Sequence, residues 1–139
     1  MLHYEHKWDK RRWIVMNKTK LRVLIVDDQP HVRSALRLLL QVKLGTATVG
    51  EAGDLEQALE LVGVEQPDLV LLDWELPAHG GAAALAELRT VCPGLAVIAL
   101  SSRPEARRDA LAAGADAFVS KGEPPERLMA SVGDCYRRS

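Results

Sequence analysis

The chain has 139 residues, 47% of them apolar, which leaves room for one domain of ordinary size and excludes two large ones. Its longest unbroken apolar run, Leu95 to Leu100, is six residues, against the roughly 20 that span a bilayer, and the N-terminus carries charges without the apolar core of a signal peptide. The net charge of -1 divides unevenly: residues 1–20 hold six Lys/Arg and two Asp/Glu together with Tyr4, Trp8 and Trp13, so a +4 aromatic arm precedes a -5 body.

The first predicted strand is the β-branched run Val23-Leu24-Ile25-Val26, which stops at Asp27-Asp28. Pro30 suits the first turn of a helix with Val32, Ala35, Leu36, Leu39 and Leu40 at helical spacing on one face, ending at Gly45. A strand from about Thr46 to Glu51 leads to a helix with Leu55, Ala58, Leu59 and Val62 inward and Asp54 placed as its cap. Leu69-Val70-Leu71-Leu72 is apolar on both faces, hence a central strand, and it runs directly into Asp73. After the break at Leu76-Pro77-Ala78-His79-Gly80-Gly81 comes an Ala-rich helix to about Val91, then the strand Leu95 to Leu100 followed by Ser101-Ser102. One helix is expected from Pro104 to Ala113, stopped by Gly114. Ala117-Phe118-Val119 forms a fifth strand ending at Ser120-Lys121. Pro124 and Pro125 introduce the last helix, with Leu128, Met129, Val132, Cys135 and Tyr136 inward. Five strands alternating with five amphipathic helices predict an α/β fold, a parallel sheet covered by helices on both faces. Cys92 and Cys135 have no second pair to make a metal or redox motif, so reduced thiols and a cytoplasmic location are expected.

Ligands of such sheets lie beyond the carboxyl ends of the strands. Those ends carry Asp27-Asp28, Asp73, Ser101-Ser102 and Lys121. Three carboxylates at one edge repel unless a cation is present, and a hard divalent ion, Mg²⁺ or Mn²⁺, suits oxygen ligands. Asp28 and Asp73 are the expected direct ligands, with Asp27 acting through water or as a further ligand. Lys121 is a point charge for a phosphoryl group and Ser101 a donor to one of its oxygens. Together they specify a phosphorylated carboxylate, and Asp73, at the end of the central strand, is the expected nucleophile. Trp74 either flanks the mouth of the site or packs beneath it. His31 and His79 lack further spaced ligands and are expected on the surface.

These residues resemble the receiver domain of bacterial two-component response regulators, a CheY-like module of flavodoxin-like (βα)5 fold. The resemblance runs from about Leu21 to Tyr136. It rests on Val26-Asp27-Asp28-Gln29-Pro30, on Asp73-Trp74-Glu75-Leu76-Pro77 with Gly81 eight positions after Asp73, on Ser101-Ser102, and on Gly114-Ala115-Asp116-Ala117-Phe118-Val119-Ser120-Lys121. Val49-Gly50-Glu51-Ala52 and the Asp-Asp-Gln-Pro start look most like receivers of the NarL/LuxR type.

The basic aromatic arm over residues 1–20 is expected to be flexible, and the resemblance implies a receiver over 21–138. It implies a phosphoryl group passed to Asp73 from a sensor histidine kinase or phosphotransfer protein. The chain would be a phosphoacceptor with weak self-catalysed phosphorylation and dephosphorylation, not an enzyme in the ordinary sense. The backbone carbonyl of Glu75 would complete the metal site, Ser101 would move to meet the phosphoryl group, and Phe118 would turn inward, coupling chemistry to the output surface. Glu75 and Arg103 would face each other across the site as a weak ion pair that slows loss of the phosphoryl group. Gly122, where many family members have Pro, is expected to loosen the connection into the last helix.

A phosphohydrolase of the haloacid dehalogenase type would need Asp-x-Asp-x-Thr after the first strand, and a flavodoxin would need a phosphate-cradling loop there. Neither is present. A degenerate receiver serving as a phosphorylation-independent binding module would lack one of the five site positions, and none is lost. The output is either a protein target of a stand-alone receiver, with a homodimer as a further option, or a DNA-binding domain of a longer regulator from which this chain is a fragment. No membrane partner is expected. Residues 1–15 are expected either to be disordered or to reflect an upstream start codon, or else Tyr4, Trp8 and Ile14-Val15 form a basic aromatic docking segment, and nucleic-acid contact through the arm alone would be weak and salt-sensitive.

Overall fold

A computed structural model describes residues 21–45 and 48–138. The arm over residues 1–20, and Thr46 at the expected start of the second strand, lie outside the described residues. The strands are β1 (Arg22–Val26), β2 (Thr48–Ala52), β3 (Leu69–Asp73), β4 (Ala96–Ser101) and β5 (Ala117–Ser120); the helices are α1 (Pro30–Leu44), α2 (Leu55–Glu65), α3 (Gly81–Val91), α4 (Arg107–Ala112) and α5 (Pro125–Arg138). All strand pairings are parallel, in the order β2-β1-β3-β4-β5.

Successive strand side chains alternate between the two faces of the sheet as the pleat requires. Leu24, Val26, Val70, Leu72, Val97 and Ala99 join one apolar cluster with Leu55, Ala58 and Val62 of α2, Ala84, Leu85 and Leu88 of α3, and Ala110 of α4. Their neighbours Val23, Ile25, Leu69, Leu71, Ile98 and Leu100 join another with Leu40 of α1 and Leu128, Val132, Cys135 and Tyr136 of α5. Helices therefore cover both faces, and fully buried side chains such as Leu71 and Ile98 each contribute about 1.5–3 kcal/mol. As expected, Asp54 caps α2, its Oδ1 accepting from the Gln57 amide at 2.8 Å, and Gly114, at φ +106°, follows the short helix in a conformation that costs a side-chain-bearing residue.

The apolar stripe of α1 is only partly covered: Leu40 is buried, Leu36 and Leu39 pack partly buried against the same cluster, and with Val32 and Ala35 they line an open groove of about 390 Å³ against Leu128 and the turn before α5. Two expectations are corrected. The single helix expected over Pro104 to Ala113 is a 3-10 turn, Pro104–Ala106, followed by α4. The tighter turn, closed by the Ala106 amide on the Arg103 carbonyl at 3.0 Å, carries Ala106 into the core. Gly122 does not leave an open connection: Ser120 N–H donates to Glu123 Oε2 at 2.8 Å and Glu123 N–H to the Ser120 carbonyl at 3.0 Å, so two reciprocal bonds close the turn across it.

Candidate functional site

The strand order reverses its direction of growth between β1 and β3, and a crevice opens there beyond their carboxyl ends. Asp27 and Asp28 follow β1 and Asp73 is the last residue of β3. Each offers a carboxylate oxygen within 4.8 Å of the others. Asp27 and Asp73 are 1% and 4% exposed, while Asp28 faces solvent.

Lys121 reaches this cluster from the end of β5. Its ammonium donates to Asp27 Oδ2 at 2.9 Å and stands 3.4 Å from Asp73 Oδ1, while its amide donates to the Ser101 carbonyl at 2.8 Å. Asp27 Oδ1 accepts from the Gln29 amide at 2.9 Å, and Asp73 Oδ1 from the Glu75 amide at 3.0 Å. Burial pushes the Asp73 carboxyl up from its ordinary value; the Glu75 amide and the Lys121 charge oppose this, and the neighbouring Asp27 adds to it. Burial alone would pull the Lys121 ammonium down, but its hydrogen bond to Asp27 and the charges of both aspartates outweigh it, and the net shift is upward. One ammonium among three carboxylates leaves two negative charges in excess, which suits a hard divalent cation with oxygen ligands.

The other side of the crevice belongs to β4. Ser101 is fully buried, and its hydroxyl donates to Glu75 Oε2 at 2.5 Å and accepts from the Arg103 amide at 3.0 Å. Arg103 Nη2 lies 3.4 Å from the same carboxylate oxygen, so Glu75 and Arg103 do meet across the site. Phe118 lies inside, 5% exposed, in the same apolar cluster as Ala106, Ala110 and Ala115, and the Arg107 guanidinium lies 5.9 Å from its ring centroid. Trp74 packs beneath the site, 8% exposed. A Cβ at Gly81 would stand 2.2 Å from its ring, so the helix start at Gly81 and the buried indole require each other. His31 and His79 are exposed.

Residues 23–133 match the family described as response regulator receiver domain. The chain belongs to that family. Among relatives of this receiver, the nitrate/nitrite response regulator protein NarL of Escherichia coli K12 is 32% identical over 118 residues, 84% of this chain and 55% of its own length. The receiver thus spans about half the length of the curated relatives it matches. Among solved structures, the signal receiver domain of the putative response regulator NarL from Mycobacterium tuberculosis is 33% identical with a TM-score of 0.75, covering 85% of this chain and 97% of that one. The response regulator protein TrrA from Thermotoga maritima, solved in complex with Mg²⁺-BeF, is 30% identical with a TM-score of 0.74, covering 82% and 97%.

Sequence reasoning missed Arg33, whose Nη1 donates to the Asp27 carbonyl at 2.6 Å while Nε pairs with Glu51 at 3.0 Å, tying the end of β1 to β2 and α1. An arginine one helical turn into the element that follows an acidic strand end was the available signal. It also missed the direct bond between Glu75 and Ser101, which no local pattern announces. The Leu76–His79 turn is closed by the His79 amide on the Leu76 carbonyl at 3.4 Å, with Ala78 at φ +71°, the left-handed position a type II turn requires and glycine fills without strain.

Proposed function

We propose that the receiver accepts a phosphoryl group on Asp73. The observation that carries this reading is the Asp73 carboxylate, buried at the meeting of Asp27 and Asp28, with the Lys121 ammonium 3.4 Å away. A carboxylate oxygen attacks phosphorus, the new O–P bond forming as the P–N bond of a phosphohistidine donor breaks, and the departing imidazole keeps the electron pair and takes a proton from solvent. Lys121 lies where it can bind an oxygen of the incoming group, and Ser101 supplies a hydroxyl to another. Three carboxylates with oxygen donors fit Mg²⁺ or Mn²⁺; Asp28 and Asp73 would hold it directly, with Asp27 beside them and the Glu75 carbonyl completing the set. Such an ion, when bound, supplies positive charge to the transferring group. The similarity to TrrA, solved with Mg²⁺-BeF, supports this assignment.

The donor on this reading is a sensor histidine kinase or phosphotransfer protein, with weak self-catalysed phosphorylation and dephosphorylation, in the cytoplasm. Among the described residues no helix is long and apolar enough to cross a membrane. Movement of Ser101 toward the phosphoryl group would shift the population of packings around α4, β5 and α5, and that surface would engage a downstream protein, a second copy, or a DNA-binding domain of a longer regulator. The folded unit on this reading is 21–138, and residues 1–20 remain a separate arm. Glu75 and Arg103 would modulate the lifetime of the phosphoryl group.

The test is incubation with Mg²⁺ and acetyl phosphate followed by intact-mass measurement. A mass gain of one phosphoryl group that is absent in Asp73→Asn is expected. No gain with any small donor or with a cognate kinase would overturn the reading in favour of a phosphorylation-independent binding module.

A further inference from the structure

The Ser101 hydroxyl has one proton to donate, and in this structure Glu75 takes it, at 2.5 Å. The same carboxylate faces two more positive or N–H groups of the β4 end, the Ser102 amide at 3.4 Å from Oε1 and Arg103 Nη2 at 3.4 Å from Oε2. An anionic pair of oxygens thus already sits on a hydroxyl, an amide and a guanidinium, which are the groups that would receive the oxygens of a phosphoryl group. Glu75 can reach them because its own amide is fixed on Asp73 Oδ1, so that its side chain starts at the acceptor and crosses from β3 to β4.

Resting on the phosphoacceptor reading above, we propose that the Glu75 carboxylate is an internal competitor of the phosphoryl group, holding Ser101 until phosphorylation at Asp73 displaces it. Glu75 is a positioning residue that acts through Ser101. A buried hydroxyl that donates to Glu75 and accepts from the Arg103 amide has no second proton for a phosphoryl oxygen, so the Glu75 bond must break before the new one forms. The exit is open: the Glu75 side chain is 32% exposed and that of Arg103 54%, so the released carboxylate is hydrated and keeps a cation beside it.

The experiment is equilibrium binding of beryllofluoride, with Mg²⁺ held constant, to the full chain and its variants, followed by fluorine NMR of the bound anion. Glu75→Ala should bind about tenfold more tightly than the parent, the scale of losing a competing hydrogen bond to a charged group. In a Ser101→Ala background the same change should alter binding by less than about twofold, because no hydroxyl remains to be freed. Ser101→Thr, which keeps the hydroxyl, should restore the gain. Glu75→Gln, which keeps an acceptor and loses the charge, should fall between parent and Glu75→Ala. Equal tightening with and without the Ser101 hydroxyl would overturn the proposal in favour of simple charge repulsion, as would no tightening in Glu75→Ala. If neither parent nor variants bind beryllofluoride and Asp73 takes no phosphoryl group, it is the phosphoacceptor reading that fails instead.

Discussion

On the β1 and β3 side of the site, Lys121 stands 2.9 Å from Asp27 and 3.4 Å from Asp73, and the backbone amides of Gln29 and Glu75 hold the two carboxylates. On the β4 side, Ser101 and Arg103 are turned onto Glu75. The first half is arranged around charges that still lack balance, and nothing in it has to break before a cation or an anion is added. The second half is already satisfied and has to be reopened. On the proposed reading the acceptor carboxylate is ready while the Ser101 hydroxyl is withheld, so acceptance of the phosphoryl group and response to it should be separable by mutation.

The largest expected effect breaks the first half. Lys121→Ala leaves Asp27 and Asp73 buried without their cation. Phosphorylation by acetyl phosphate should fall by roughly a hundredfold, the scale of losing one preorganised charge at a transferring group, measured as initial rate by intact mass. The melting temperature should fall with it, and added Mg²⁺ should recover part of that loss by binding the folded state. An unchanged rate would show that Lys121 serves the fold alone.

A smaller effect tests the imbalance itself. Because burial raises the Asp73 carboxyl above its ordinary value, the folded state holds that proton more firmly than the unfolded chain does. This contribution to stability therefore falls as pH rises through the window between the unfolded and folded values, and the cost is fully present at neutral pH. Asp73→Asn removes it. In the absence of divalent cations the variant should be more stable than the parent at neutral pH, and the gain should vanish at pH below the carboxylate range. Denaturant melts at several pH values would check this, and a gain that grows on acidification would contradict it.

The smallest effect sharpens the second half. Arg103 is more than half exposed and its pair with Glu75 is long, worth about 0–1 kcal/mol. Arg103→Ala should speed loss of the phosphoryl group by about threefold, within what such a pair can supply, followed as decay of the phosphorylated mass after donor removal. A decay rate equal to the parent's would remove Arg103 from the modulating pair.

The sequence by itself determined the order of elements and the residues at the strand ends. Both are local properties: apolar runs such as Val23–Val26 and Leu69–Leu72 end at a carboxylate in the chain itself, and neither needs a distant partner to be seen. Asp54 as a cap and Gly114 as a stop were legible for the same reason. What joins those residues was left to tertiary structure. Lys121 meets Asp27 across 94 positions and Glu75 meets Ser101 across 26, and the bond each forms depends on how closely β3, β4 and β5 pack. Helical periodicity marked the apolar stripe of α1, but only the spacing of α1 and α5 on the sheet decided that Val32, Leu36 and Leu39 would line a groove. Periodicity says which side of an element is apolar, whereas the neighbour that covers it, or fails to, is set by the path of the whole chain.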